Sequence, residues 1–208
     1  MLTLSDLRNA LPDTTTDVTT EGLNSSVEIY RDQWGIPHVQ ASTTEDAFFG
    51  QGYATAQDRL WHMDYDRHRA YGRWAELSGP SGLDHDFFMR RIRIESSAKA
   101  DYQVISPEAR SMLDCYTAGV NAFIDTSKSF PIEYRLVGKK PDYWNPWDCL
   151  AVLKVRHILM GTFEGKIWRA RLLHHLGLQD TKRLFPGYQP GHLLILPPGS
   201  HYDGPTID

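Results

Sequence analysis

Cysteine is nearly absent from this chain, with only Cys115 and Cys149 among 208 residues. Two cysteines do not make a disulfide framework, and each lies in an apolar helical pattern, so each reads as a buried free thiol. Long apolar runs are missing as well. No stretch reaches the 18 or so residues that a membrane span requires, and the N-terminal "MLTLSDLRNALPDTTTDVTTEGLNSS" lacks the apolar segment of a signal peptide. The chain is therefore expected either to be cytoplasmic or to have lost a signal. Basic excess is lacking too: the formal net charge is −4, which gives no electrostatic footprint for nucleic acid. Arg90, Arg91 and Arg93 stand among carboxylates and apolar groups, as on a solvated face or in internal ion pairs.

The motifs of self-contained catalysis are lacking in turn. Gly79-Pro80-Ser81-Gly82 does not have the G-x-S-x-G spacing of a nucleophile elbow and reads as a surface turn. None of the nine histidines forms H-E-x-x-H, and the adjacent His174 and His175 point in different directions on a helix. His62 with Asp66 and Asp64 with His68 share a helix face at i, i+4, a spacing typical of hydrogen-bonded pairs. Gly50-Gln51-Gly52 falls inside a helical pattern, so it is not a phosphate loop.

What is present is a helical domain with 41% apolar residues, enough for one core. Residues 1–26 are polar and read as a flexible arm. Two extended runs, Val27–Tyr30 and Pro37–Gln40, flank Asp32-Gln33-Trp34-Gly35 as a hairpin. Ser42-Thr43-Thr44-Glu45 has the spacing of a capping box, which predicts a helix from about Thr43. Along it Phe48, Gly52, Ala56, Leu60, Met63, Arg67 and Ala70 recur at three or four residues, a stripe whose small members allow close approach of another element. A second helix starts at Ser106-Pro107-Glu108, with a stripe of Met112, Leu113, Tyr116, Val120, Phe123 and Ile124. A third begins near Asp148, and a fourth, "IWRARLLHHLG", is expected to end at Gly177. Residues 185–208, dense in Pro and Gly, read as an extended arm. The residues alone support a mostly helical domain without a reaction centre of its own.

The ordered series "VEIYRDQWGIPHVQASTTEDAFFGQGYATAQDRLWHMDYDRHRAYGRWAELSG", then Asp86 with Arg90 and Arg91, "SPEARSMLDCYTAGVNAFID" and "WNPWDCLAVLKVRHILM" before "RARLL" resembles the α chain of the penicillin acylase family. That family includes penicillin amidases, cephalosporin acylases and acyl-homoserine lactone acylases. The resemblance implies an α+β fold: residues 27–184 form a mostly helical α subunit that completes the αββα sandwich of an N-terminal nucleophile hydrolase with a separate β chain. It implies one precursor that cuts itself, with the 185–208 arm near the processing site. The nucleophile and base are then the first residue of the β chain, and no catalytic residue lies in this chain. The helix over Gly50–Leu77 is expected to pack its small stripe against the β chain.

By the same resemblance, the segment Arg156–Phe163 contributes to the acyl pocket, with His157, Met160 and Phe163 as substrate-binding residues. The substrate is a small-molecule N-acyl amide; no nucleic acid and no membrane is expected as partner. No cofactor is required. Many relatives carry a calcium-ligating Glu at the position of Lys166, and an ammonium has no lone pair with which to ligate, so no metal is expected here. The alternative is a non-catalytic helical interaction module or a degenerate family member. A downstream coding segment that opens with Ser, Cys or Thr separates the two.

Overall fold

The computed structural model describes residues 2–185. It divides into two compact units, one ending at Met160 and one beginning at Gly161, and each is described by itself. Among the described residues it is mostly helical with one two-stranded sheet. The C-terminal arm expected over 185–208 falls outside the described residues except for Phe185.

In the first unit, helix α1 (Leu4–Asn9) follows a capping box between Thr3 and Asp6, so the leading segment is not wholly extended. Strands β1 (Glu28–Arg31) and β2 (Pro37–Gln40) pair antiparallel, Ile29 opposite Val39. The turn between them is held by Asp32, whose Oδ1 accepts the N–H groups of Trp34 (2.8 Å) and Ile36 (3.0 Å). Arg31 then ties the hairpin to the next helix by donating from both amino nitrogens to Asp58, at 3.0 and 2.7 Å.

That helix, α2 (Thr44–Tyr71), runs for 28 residues and organises the unit. Its cap lies one residue later than the sequence predicts. Thr43 Oγ1 accepts from Asp46 N–H at 3.1 Å, and the Asp46 carboxylate does not reach back to the cap. It is buried and accepts the Asn24 and Ser25 amides at 2.8 and 3.2 Å, so it pins the leading arm instead. Gly72, in the left-handed conformation that a side chain resists, stops the helix.

Helices α3 (Ala75–Ser78), α4 (Leu83–Ile92), α5 (Ile94–Val104), α6 (Pro107–Thr126), α7 (Ile132–Val137) and α8 (Pro146–Met160) pack around it. Ser106 caps α6 as predicted, with Pro107 in its first turn. The small stripe of α2, expected to face a second chain, meets α6 of this chain. A Cβ on Gly52 would fall 2.0 Å from the Tyr116 carbonyl oxygen, and one on Gly119 would fall 1.9 Å from that of Phe49. The two backbones touch at reciprocal glycines, and on the far side of that contact Ala56, Leu60, Met63, Val120 and Phe123 close a core with Tyr134 and Trp144. A second core joins Ala70 of α2 to Met89, Ile94, Ala98, Ala151 and Val155.

In the second unit, α9 (Phe163–Leu184) continues past the predicted stop, but Gly177 breaks the helical backbone with φ 75° and ψ 175°. The break falls where the sequence places it; a further helical segment follows.

Gly119→Ala is expected to destabilise the fold by about 3 kcal/mol or more, the upper end for overpacking, because the clash is with backbone that cannot rotate away. Gly165→Ala, where an added Cβ meets nothing within 4 Å, should instead stabilise by about 0.5–1 kcal/mol. Chemical denaturation of the two variants checks the opposite signs.

Candidate functional site

The densest polar constellation joins α2, α8 and the connector before α8. Arg67 is buried and uses all five of its N–H donors. Nε and Nη2 donate to Asp64 Oδ1 at 3.0 and 2.6 Å, and Nη2 also reaches the Asp142 carbonyl at 3.2 Å. Nη1 donates to Asp148 Oδ2 at 3.1 Å and to the Tyr143 carbonyl at 2.8 Å. Trp144 lies against the guanidinium, 4.8 Å from its ring centre.

The carboxylates are matched in the same way. Asp148 accepts Tyr71 OH on one oxygen and Asn145 N–H, at 2.9 Å, on the other. Asp64 Oδ2 accepts Tyr134 OH at 3.0 Å, and His68 Nδ1 donates to the Asp64 carbonyl at 2.8 Å. Burial raises the cost of charging Asp64, yet the hydrogen bond from His68 and the charge of Arg67 outweigh it and hold the carboxyl below its ordinary range. Burial, then the charge of Asp148, pushes the Tyr71 phenol up; burial and Asp64 do the same for Tyr134.

Perturbed groups gathered in this way are a signature of active sites, but here each is committed to a partner inside the chain. The group is closed on itself. The remaining candidates fare no better as nucleophiles. Burial pushes the Cys149 thiol up to about 11, which leaves it protonated near neutrality. Both cysteines are free and half-buried. Lys154 donates to Ser97 Oγ at 2.8 Å but is paired with Asp101 at 2.6 Å, so it acts as a donor to the hydroxyl and not as a base. Ser81 is exposed and donates to the Ser78 carbonyl. Among the described residues no Ser, Thr or Cys is hydrogen-bonded to a histidine, and no group of three or more His, Cys, Asp or Glu stands close enough to hold a metal.

The three residues singled out in the sequence lie at the end of α8 and the start of α9. His157 is exposed on the last turns of α8, with Nδ1 bonded to the Leu153 carbonyl at 2.9 Å. It borders a groove of about 430 Å³ whose walls include Ile92, Ile94, Leu150, Leu153 and Ile158. Met160, one turn on, is 77% exposed. Phe163 opens α9 in the second unit and is half-buried. What brings α8 to this point is Arg156, whose Nε donates to the buried Asp66 of α2 at 2.8 Å, beside His62. The i, i+4 pairing of His62 with Asp66 was visible in the sequence; the arrival of Arg156 from 90 residues away was not.

A family model described as penicillin amidase matches residues 26–201. Penicillin acylase 2 proenzyme of Pseudomonas sp. (strain SE83) is 39% identical over 93% of this chain and 25% of that protein. The acyl-homoserine lactone acylase QuiP of Pseudomonas aeruginosa is 32% identical over 89% of this chain and 22% of its own length. Among solved structures, a thermostable penicillin G acylase from Alcaligenes faecalis superposes with a TM-score of 0.63 at 25% identity, covering 86% of this chain and 98% of that one. The chain spans about a quarter of the length of the curated relatives it matches.

Removing the central cation by Arg67→Met is expected to cost about 3–5 kcal/mol at pH 7, because it strands buried carboxylates. In the unaltered protein the Asp64 contribution is complete above the ordinary carboxylate pKa of about 4 and is lost as the pH falls through the lower value in the fold. The variant's stranded carboxylates, whose pKa burial without a cation raises, gain by protonation at higher pH, as it falls toward about 4. The difference between the two should therefore shrink on acidification, as read by denaturant melts at pH 7 and near pH 4.

Proposed function

The chain belongs to the penicillin amidase family, and on that premise we propose that it is the non-nucleophilic subunit of a two-chain acylase that hydrolyses the amide bond of an N-acyl amine. The observation that carries this reading is the closed state of its polar groups: every buried carboxylate and cation of the central cluster has its partner within the chain, and none is free to attack or to take a proton. A second observation supports it. The match to the solved penicillin G acylase covers nearly all of that chain, whereas the match to the proenzymes covers a quarter of theirs.

In this reading a β chain from the same precursor supplies the nucleophile, its own α-amine as base, and the donors that bind the oxyanion, each donor being worth roughly 10²–10³ in rate. The helices described here then form part of an αββα sandwich with that chain. The contribution of this chain is positional: Asp66 and Arg156 hold the end of α8, and His157, Met160 and Phe163 line the acyl-binding side. Met160 and Phe163 suit an aromatic or aliphatic acyl group.

Calcium does not fit the residues present. Lys166, where the resemblance implies that many relatives carry a ligating Glu, is exposed, and an ammonium offers donors only. Glu164, two residues before it, is exposed as well and stands in no cluster of potential ligands among the described residues. We propose that the Lys166 charge itself meets the β-chain carboxylates.

Assayed on a panel of N-acyl substrates, the two-chain protein should hydrolyse amides, and this chain without its partner should hydrolyse none. Inactivity of the assembled pair on the whole panel would favour a non-catalytic interaction module. Met160→Ala and Phe163→Ala should reorder the preferred acyl lengths by about 1–3 kcal/mol per methylene equivalent while sparing turnover of the best substrate; an unchanged order would remove both residues from the pocket. Chelator should leave the melting temperature unchanged, and Lys166→Glu should make it calcium-dependent. Stoichiometric calcium in the unaltered protein would contradict the metal assignment.

A further inference from the structure

Between α2, α6 and α8 a recess of about 280 Å³ runs into the core of the first unit. It differs from an exposed apolar face. Met63, Leu113 and Trp144 in its walls are buried, and of all its lining residues only Gln51 is exposed. Met63 and Trp144 belong to the same core cluster as Leu60, Val120 and Phe123. Protein interiors keep few voids larger than a water molecule, and an apolar cavity of about 150 Å³ already accepts benzene.

The walls limit what can enter. No lining residue is charged, so an ion would lose its hydration there and meet no counter-charge. Phe48, Tyr116 and Trp144 supply aromatic rings, which pair well with another ring edge to face. Met63 and Met112 supply thioethers, which pack on ring edges and adjust to the shape of a guest. The groove beside His157 is different in kind, with Ile and Leu walls and the charged Lys154 and Asp101. Cys149 also lines the recess, its sulfur accepting Trp144 Nε1–H at 3.3 Å. We propose that the recess is a binding site for a neutral molecule of one aromatic ring with a single hydrogen-bonding substituent. The ring packs among Phe48, Tyr116 and the two thioethers, and the substituent meets the Gln51 carboxamide. On α8 the site uses Cys149 and Val152, whereas the residues assigned to the acyl group begin at His157, so it is a second site that stands without the acylase reading.

The test follows Cys149 in the assembled protein by peptide mass during reaction with benzyl, sulfonatoethyl and trimethylammonioethyl methanethiosulfonates. Each rate is divided by that of the same reagent on the denatured chain. The neutral benzyl reagent should modify Cys149 at least about tenfold faster than either charged one, because only it enters without losing the hydration of an ion. p-Cresol at about ten times its dissociation constant should slow the benzyl reaction about tenfold. Val152→Phe fills the recess and should remove that protection; if this variant does not assemble, Met112→Phe takes its place. Equal rates for benzyl and charged reagents, no slowing by p-cresol, or slowing that persists in the filled variant overturns the proposal. A Cys149 that reacts with none of the three reagents until the protein is denatured has its recess already filled by a polypeptide, which overturns it too.

Discussion

The Arg67 guanidinium is the interaction on which the rest of the first unit depends. A buried cation is tolerable only if its charge and all its donors are met, and the five donors of Arg67 reach three different parts of the chain: Asp64 in its own helix, the carbonyls of Asp142 and Tyr143 in the connector, and Asp148 at the start of α8. Asn121 of α6 adds a second tie to the same connector, exchanging hydrogen bonds with the Trp144 backbone at 2.7 and 3.0 Å. The position of α8 relative to α2 thus follows from charge geometry at one end and from the Asp66 to Arg156 pair at the other.

This fixes what the chain can contribute to chemistry. Groups committed to holding α8 cannot also move protons, and the strongly perturbed tyrosines are perturbed toward staying neutral. A penicillin amidase family chain built in this way is a frame that presents the last turns of α8. Large apolar side chains are left exposed at Met160 and along α9, at Ile167, Trp168, Leu173 and Leu176. The charges of the Arg67 cluster are met within the chain while apolar surface is left open, the kind of surface that marks an interaction site.

Much of the fold was legible in the sequence where local chemistry acts alone. Ser106-Pro107 capped its helix as written, the hairpin turned at Asp32 to Gly35, and Gly177 broke the backbone where expected. The misses are long-range. The capping box at Ser42 and Glu45 gave way to Thr43 because Asp46 is taken by the arm at Asn24 and Ser25, and no local pattern encodes that capture. The glycine stripe was visible, but its partner was α6 of the same chain, since a stripe of small residues specifies close approach and not the identity of what approaches. Helix α3 is too short for a periodic stripe and is fixed by Asp86 of α4, which accepts the Trp74 and Ala75 amides at 2.8 Å each. For the site, i, i+4 spacing showed His62 with Asp66 and Asp64 with His68, but the closing cations and carboxylates come from 77 to 90 residues away.

The central claim is that the buried network frames the chain and takes no part in proton transfer in the proposed two-chain acylase. The direct measurement is the pH dependence of turnover for Asp148→Asn in the assembled two-chain protein, alongside its melting temperature. A framing role predicts a lower melting temperature with both limbs of the pH profile keeping their midpoints. Loss of a limb, or a midpoint displaced by about one unit or more, would mean that the network sets an essential acid or base, and would contradict the account.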